Sequence, residues 1–110
     1  WEKQITELSK CENVSAKLGG IAMEINGFNW HKNKIAPSGQ DLINRTKRYY
    51  EKTLEVFGVD RCMFESNFPV DKISCSYVNL WNGFKLLTKD YSANERAKLF
   101  HDNANRIYKL

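Results

Sequence analysis

A mixed α/β fold with a parallel sheet is what this sequence predicts, and three patterns predict it. Residues 14–19 alternate apolar and polar side chains, the period of a strand. A helical stripe starting at Ser38 runs to Phe57, stops at Gly58, and gives way to a second short apolar run over residues 61–66. Further helical patterns then close the chain. Strands alternating with helices imply right-handed βαβ units, and therefore parallel neighbours.

The elements follow in order. Residues 2–10 place Ile5 and Leu8 at helical spacing, and Cys11-Glu12-Asn13 reads as the turn after them. In the first strand, Val14, Ala16 and Leu18 share one face, and Ser15, Lys17 and Gly19 the other, before Gly19-Gly20 ends it. Residues 21–37 form an irregular, aromatic loop around Phe28, Trp30 and His31; loops of this length in compact domains are often functional. Ser38, with Asp41 three positions on, opens the long helix as a shortened capping box. Its stripe is Leu42, Ile43, Tyr49, Tyr50, Leu54 and Phe57, and Gly58 is expected in a left-handed conformation just past its end. In the second strand Cys62, Phe64 and Ser66 share one face, and Arg61, Met63, Glu65 and Asn67 the other. A helix from about Ser76 to Leu87 carries Tyr77, Leu80, Trp81, Phe84 and Leu87. Ser92 and Glu95 make a full capping box for a last helix bearing Leu99, Phe100, Ala104, Ile107 and Tyr108.

Composition excludes several classes. The chain has 110 residues, 42% hydrophobic and 27% charged, the profile of one soluble globular domain. Its net charge of +4 is scattered, and the densest basic cluster, Arg45 to Arg48, lies on a helix beside Tyr49 and Tyr50. That is a solvated helix face; no basic stripe or module for nucleic acid is present. Cys11, Cys62 and Cys75 are odd in number and form no Cys-x-x-Cys, so reduced thiols in a cytoplasmic protein are expected. No apolar run approaches a membrane span and no signal peptide is visible. The expected partner is a small-molecule substrate, with no nucleic acid and no membrane; a homo-oligomer is compatible with the sequence. Two parallel strands with four helices are half a layered structure. The chain also starts at Trp1 inside a helix-like pattern, so a piece of a larger α/β fold is expected.

The chemistry concentrates where the second strand ends. Glu65-Ser66-Asn67-Phe68-Pro69 delivers polar side chains to the mouth of a sheet. Lys17 and Glu65 fall on the same face of neighbouring strands. A charge in a sheet interior needs a partner, so the two are expected to interact.

These residues resemble the amidohydrolase-related (amidohydrolase 2) group of TIM-barrel hydrolases. The matching pieces are residues 13–20, Phe57-Gly58-Val-Asp-Arg61-Cys-Met-Phe, Ser66-Asn67-Phe68-Pro69, and Asn103-Ala104-Asn-Arg106-Ile-Tyr108. The resemblance implies an α/β fold that is the C-terminal part of a (β/α)8 TIM barrel, about strands seven and eight with their helices. Residues 1–110 would then be a fragment of one barrel domain. Such barrels place their active sites at the C-terminal ends of the strands. The family typically has an aspartate where this chain has Asn67, binding a divalent metal (zinc or manganese) and accepting a proton from water. The resemblance therefore implies catalytic positions at Asn67 and Glu65, a metal position at Asn67, and substrate-binding positions at His31 and Trp30 in the loop. Arg61 and Arg106 are expected to serve structure at the opposite rim. An amide neither takes a proton at neutral pH nor binds metal as well as a carboxylate. The implied reaction is hydrolysis of a carboxylic ester, lactone or amide by a metal- or carboxylate-activated water. A decarboxylase on the same fold, or a non-catalytic binding module, are the alternatives. The 110 residues alone are expected to be inactive and poorly stable.

Overall fold

A computed structural model describes all 110 residues, Trp1–Leu110. The elements are α1 (Glu2–Ser9), β1 (Ala16–Leu18), α2 (Gly39–Phe57), β2 (Cys62–Phe64), α3 (Tyr77–Leu87), α4 (Ala93–Ala97) and α5 (Asn103–Tyr108). Single 3-10 turns occur at Glu24–Asn26, Trp30–Lys32, Val59–Arg61 and Val70–Ile73. One π turn, Lys98–Asp102, joins α4 to α5. β1 and β2 are parallel, with Ala16 opposite Cys62, Lys17 opposite Met63 and Leu18 opposite Phe64. This register confirms the predicted faces: Ala16, Leu18, Cys62 and Phe64 on one side, Lys17 and Met63 on the other. Lys17 itself is exposed.

Both strands are shorter than their sequence patterns. Val14 is drawn into a turn by its amide bond to the Cys11 carbonyl, and Arg61 belongs to the 3-10 turn before β2. Pairing therefore starts two residues later in β1 and one later in β2.

The chain forms two compact units. The first comprises Trp1–Leu18, Arg48–Phe64 and Tyr91–Leu110. Its core is Leu18, Tyr50, Leu54, Phe57, Cys62, Met63, Phe64 and Leu99, with Phe100 tilted against Phe64 at 4.9 Å. Two side chains tie it together. Arg61 donates to the carbonyls of Ser9 (2.9 Å), Cys11 (3.1 Å), Val14 (3.4 Å) and Phe57 (3.1 Å), gathering the end of α1, the turn after it and the end of α2. Asn103, 3% exposed, donates from Nδ2 to the carbonyls of Val59 and Cys62, each at 2.7 Å. Arg106 adds a bond to the Asp60 carbonyl at 2.6 Å. The closing Asn-Ala-x-Arg motif is thus a clamp on the turn that feeds β2.

The second unit comprises Gly19–Lys47 and Glu65–Asp90. Ala22, Trp30, Leu42, Ile43, Cys75, Leu80 and Phe84 are its buried apolar residues. α2 and α3 touch here at glycines: a Cβ on Gly39 would lie 2.8 Å from the Gly83 amide nitrogen and 2.9 Å from the Asn79 carbonyl.

The caps are as predicted. Ser38 and Asp41 exchange the two bonds of a capping box, and so do Ser92 and Glu95. Gly58 does take a positive φ of 75°, but its ψ of 157° is extended rather than left-handed helical. The chain must turn at once into the 3-10 turn before β2, so the helix ends without the expected left-handed cap.

Candidate active site

Two short segments meet here, Gly19-Gly20 after β1 and the polar Glu65-Ser66-Asn67 after β2. Gly19 is required by contact: a Cβ there would lie 2.5 Å from the Glu65 carbonyl oxygen and inside the Glu65 side chain. Gly20 is required by conformation, with φ of 74°.

Asn67 holds φ at 54°, the left-handed region that Asn tolerates better than other side-chain-bearing residues. The bend brings its amide over the following turn. Asn67 Nδ2 donates to Asp71 Oδ1 at 2.7 Å, and the Asp71 backbone N–H donates to the Asn67 carbonyl at 3.1 Å. The next peptide, Phe68–Pro69, is cis.

Asp71 is the residue that sequence reasoning missed. It is wholly buried, and its second oxygen, Oδ2, is buried without a hydrogen-bond partner. Burial pushes its carboxyl above the usual aspartate range. The Asn67 amide and the Ala22 backbone N–H hold it down in opposition, and nearby Glu65 adds a smaller upward push. Its own carbonyl accepts the amides of Ser74 and Cys75 at 3.0 and 3.1 Å. The one sequence signal was its spacing, four residues beyond Asn67, which a single turn closes.

The loop after β1 is held by polar and aromatic contacts. Asn26 Nδ2 donates to the Gly20 and Ile21 carbonyls at 3.0 and 3.1 Å. Trp30 is only 4% exposed, stacked on Phe28 at 4.7 Å, with the Arg45 guanidinium 4.9 Å from the Phe28 centroid and 5.5 Å from that of Trp30. Trp30 thus anchors the loop. His31 Nε2 lies 3.4 Å from Glu24 Oε1, and its Nδ1 is buried without a partner. His31 therefore pairs with Glu24 and Asn67 with Asp71, and no hydrogen bond joins the two pairs.

The thiols take no part. Burial pushes Cys62 up to about 12 and Cys75 up to about 11, so both stay protonated and inert at neutral pH.

A divalent metal needs several converging donors. No three His, Cys, Asp or Glu side chains converge to hold one. Asn67 offers a single neutral oxygen, its nitrogen being committed to Asp71. These residues do not by themselves fit zinc or manganese.

A sequence profile described as "Amidohydrolase" matches residues 1–110, the whole chain. The chain belongs to the amidohydrolase family. This amidohydrolase chain is 41% identical over 110 residues to the uncharacterized protein y4mH of Sinorhizobium fredii, covering 100% of the chain and 33% of that protein. It is 28% identical over 116 residues to L-fucono-1,5-lactonase of Burkholderia multivorans, covering 100% of the chain and 35% of the lactonase. Two crystal structures of an amidohydrolase from Burkholderia multivorans, one with bound HEPES and one with bound zinc, superpose with TM-scores of 0.84 at 27% identity. All of the chain matches 36% and 37% of those structures. The amidohydrolase chain therefore spans about a third of the length of the relatives it matches, and its α/β fold is part of a TIM barrel.

Proposed function

We propose that this chain contributes the Asn67 end of the active site of a hydrolase that opens a carboxylic ester, lactone or amide with an activated water. The observation that carries the reading is Asn67 itself, bent into a left-handed conformation beyond the end of β2 and backed by Gly20 and Asp71. A side chain held in this way serves positioning of a reacting group. The likeness to a lactonase supports the choice of a cyclic ester as the first substrate class to try.

In this reading Glu65 is the base. Its carboxylate takes a proton from water, whose oxygen attacks the acyl carbon. The bond to the leaving oxygen or nitrogen then breaks, and the proton passes to that atom. Asn67 orients the water or the substrate by hydrogen bonds and takes up no proton from it. His31, at the edge of the loop, contacts the distal part of the substrate.

The test is hydrolysis by the full-length protein of a panel of sugar lactones, simple lactones, esters and amides, followed by acid release in a pH-indicator assay. Glu65→Gln is expected to lower kcat by about 100-fold or more with the fold intact. A full-length protein that hydrolyses no member of the panel overturns the reading.

A further inference from the structure

We propose that Asp71 is a positioning residue for Asn67: it turns the amide so that nitrogen faces the protein and the carbonyl oxygen, Oδ1, faces the substrate. Position 67 then acts as a hydrogen-bond acceptor, and its ligand is an O–H donor, either the attacking water or a substrate hydroxyl. This rests on the hydrolase reading above and specifies what Asn67 does in it.

Three observations carry the inference. An Asn amide can face a neighbour with either end, and only the neighbour's chemistry decides which. A carboxylate accepts and does not donate, so Asp71 Oδ1 at 2.7 Å selects the nitrogen. The nitrogen also lies on the Gly20 side of the site, where an added Cβ would come within 3.4 Å of it. The oxygen is left as the end that a ligand can meet. Asp71 is wholly buried, so it acts through Asn67 and touches no substrate itself.

Asp71 is a costly residue at this place. It is wholly buried, its Oδ2 has no partner of full hydrogen-bond geometry, and only the Asn67 amide and the Ala22 backbone N–H oppose the burial of its charge. An asparagine at 71 fits the same space, also accepts from Asn67, and avoids burying a charge. It would, however, allow both amides to turn over together. The ionised carboxylate is the group that permits one orientation only.

The experiment uses the full-length protein with 15N-labelled asparagine, the Asn67 side-chain signal being assigned by its loss in Asn67→Ser. In the wild type its Nδ2 protons are expected to exchange slowly. In Asp71→Asn, folded by circular dichroism, they are expected to exchange at least about tenfold faster, the scale of a lost charge-assisted bond. With an active substrate, kcat/KM of Asp71→Asn is expected to fall by about tenfold or more. The double variant Asn67→Asp with Asp71→Asn keeps one amide and one carboxylate in contact and again presents only oxygen at 67. It is expected to recover most of the loss. If the donor is a substrate hydroxyl, the deoxy substrate shows no loss in Asp71→Asn; if it is water, both substrates lose equally. Unchanged exchange in Asp71→Asn, or a folded double variant no better than Asp71→Asn, overturns the proposal. Failure of the wild type to hydrolyse anything overturns the hydrolase reading alone, because the exchange measurement still decides the orientation of Asn67.

Discussion

Asn103 offers the sharpest test of the packing. Its Nδ2 donates to the Val59 and Cys62 carbonyls, both at 2.7 Å, and its Oδ1 receives a longer bond from Arg106 at 3.4 Å. Leucine at 103 keeps the size and removes both donors. Two bonds at about 1 kcal/mol net each set a floor of about 2 kcal/mol, and carbonyls left without a donor raise the cost to about 4. That is a roughly 30- to 1,000-fold change in the folded-to-unfolded ratio. Aspartate at 103 is the more telling change, because it keeps the shape and turns a donor into an oxygen facing two carbonyl oxygens. At pH 7 it is expected to cost at least as much as leucine. On acidification the new carboxyl gains a proton and can donate again, so the loss should shrink. Urea unfolding of the full-length protein, followed by tryptophan fluorescence at pH 7 and pH 5, reads both effects as a shift of midpoint at constant slope. An Asn103→Asp protein within about 0.5 kcal/mol of wild type at pH 7 would refute the assignment of Nδ2 to the two carbonyls.

Other expectations follow from the same geometry. Gly19→Ala drives a methyl into the Glu65 backbone and should cost about 1–3 kcal/mol in a denaturant titration, with hydrolysis falling alongside because Glu65 is displaced. Asn67→Asp sets two carboxylates against each other where the present contact is 2.7 Å, so one proton will be shared and its pKa raised. Stability of that variant should be near wild type below the ordinary aspartate value of 3.8 and lost as pH rises through the raised folded value, which a melting-temperature series across pH will show. Asp41 and Glu95 behave oppositely. Hydrogen bonds from Ser38 and Ser92 lower their carboxyls below 3.8 and 4.5, so their contribution is present above those values and lost as pH falls through the lowered ones; Ser38→Ala and Ser92→Ala should flatten that acid limb in circular dichroism.

Much of the frame was legible in the sequence because local rules wrote it. The alternation of Ala16, Lys17 and Leu18, the Ser38 and Ser92 caps and the stop at Gly58 depend on neighbours a few residues away. So does the delivery of Asn67 beyond a strand end. The π turn at Lys98–Asp102 was not legible, since Leu99 and Phe100 fit an ordinary helical stripe equally well. Asp71 escaped for a different reason. In the run Pro69 to Ser76 it reads as one more solvated residue, and only the turn at Val70–Ile73 carries its carboxylate back under Asn67. Trp30 was legible as an aromatic in a long loop beside His31, but its burial against Phe28 beneath Arg45 was not, because Arg45 comes from a helix fifteen residues on.

The Arg61 side chain has a consequence in time as well as in energy. Three of its four carbonyl partners lie 47, 50 and 52 residues away in the chain. Contacts across such separations are costly to close early, so they join after the local helices have formed. An interaction made on the native side of the folding barrier leaves the rate of folding nearly untouched and slows the reverse step. A lysine at 61 keeps the charge but cannot reach in four directions at once. Arg61→Lys is therefore expected to shorten the lifetime of the folded chain, read as faster unfolding and faster proteolysis, while leaving the folding rate nearly unchanged.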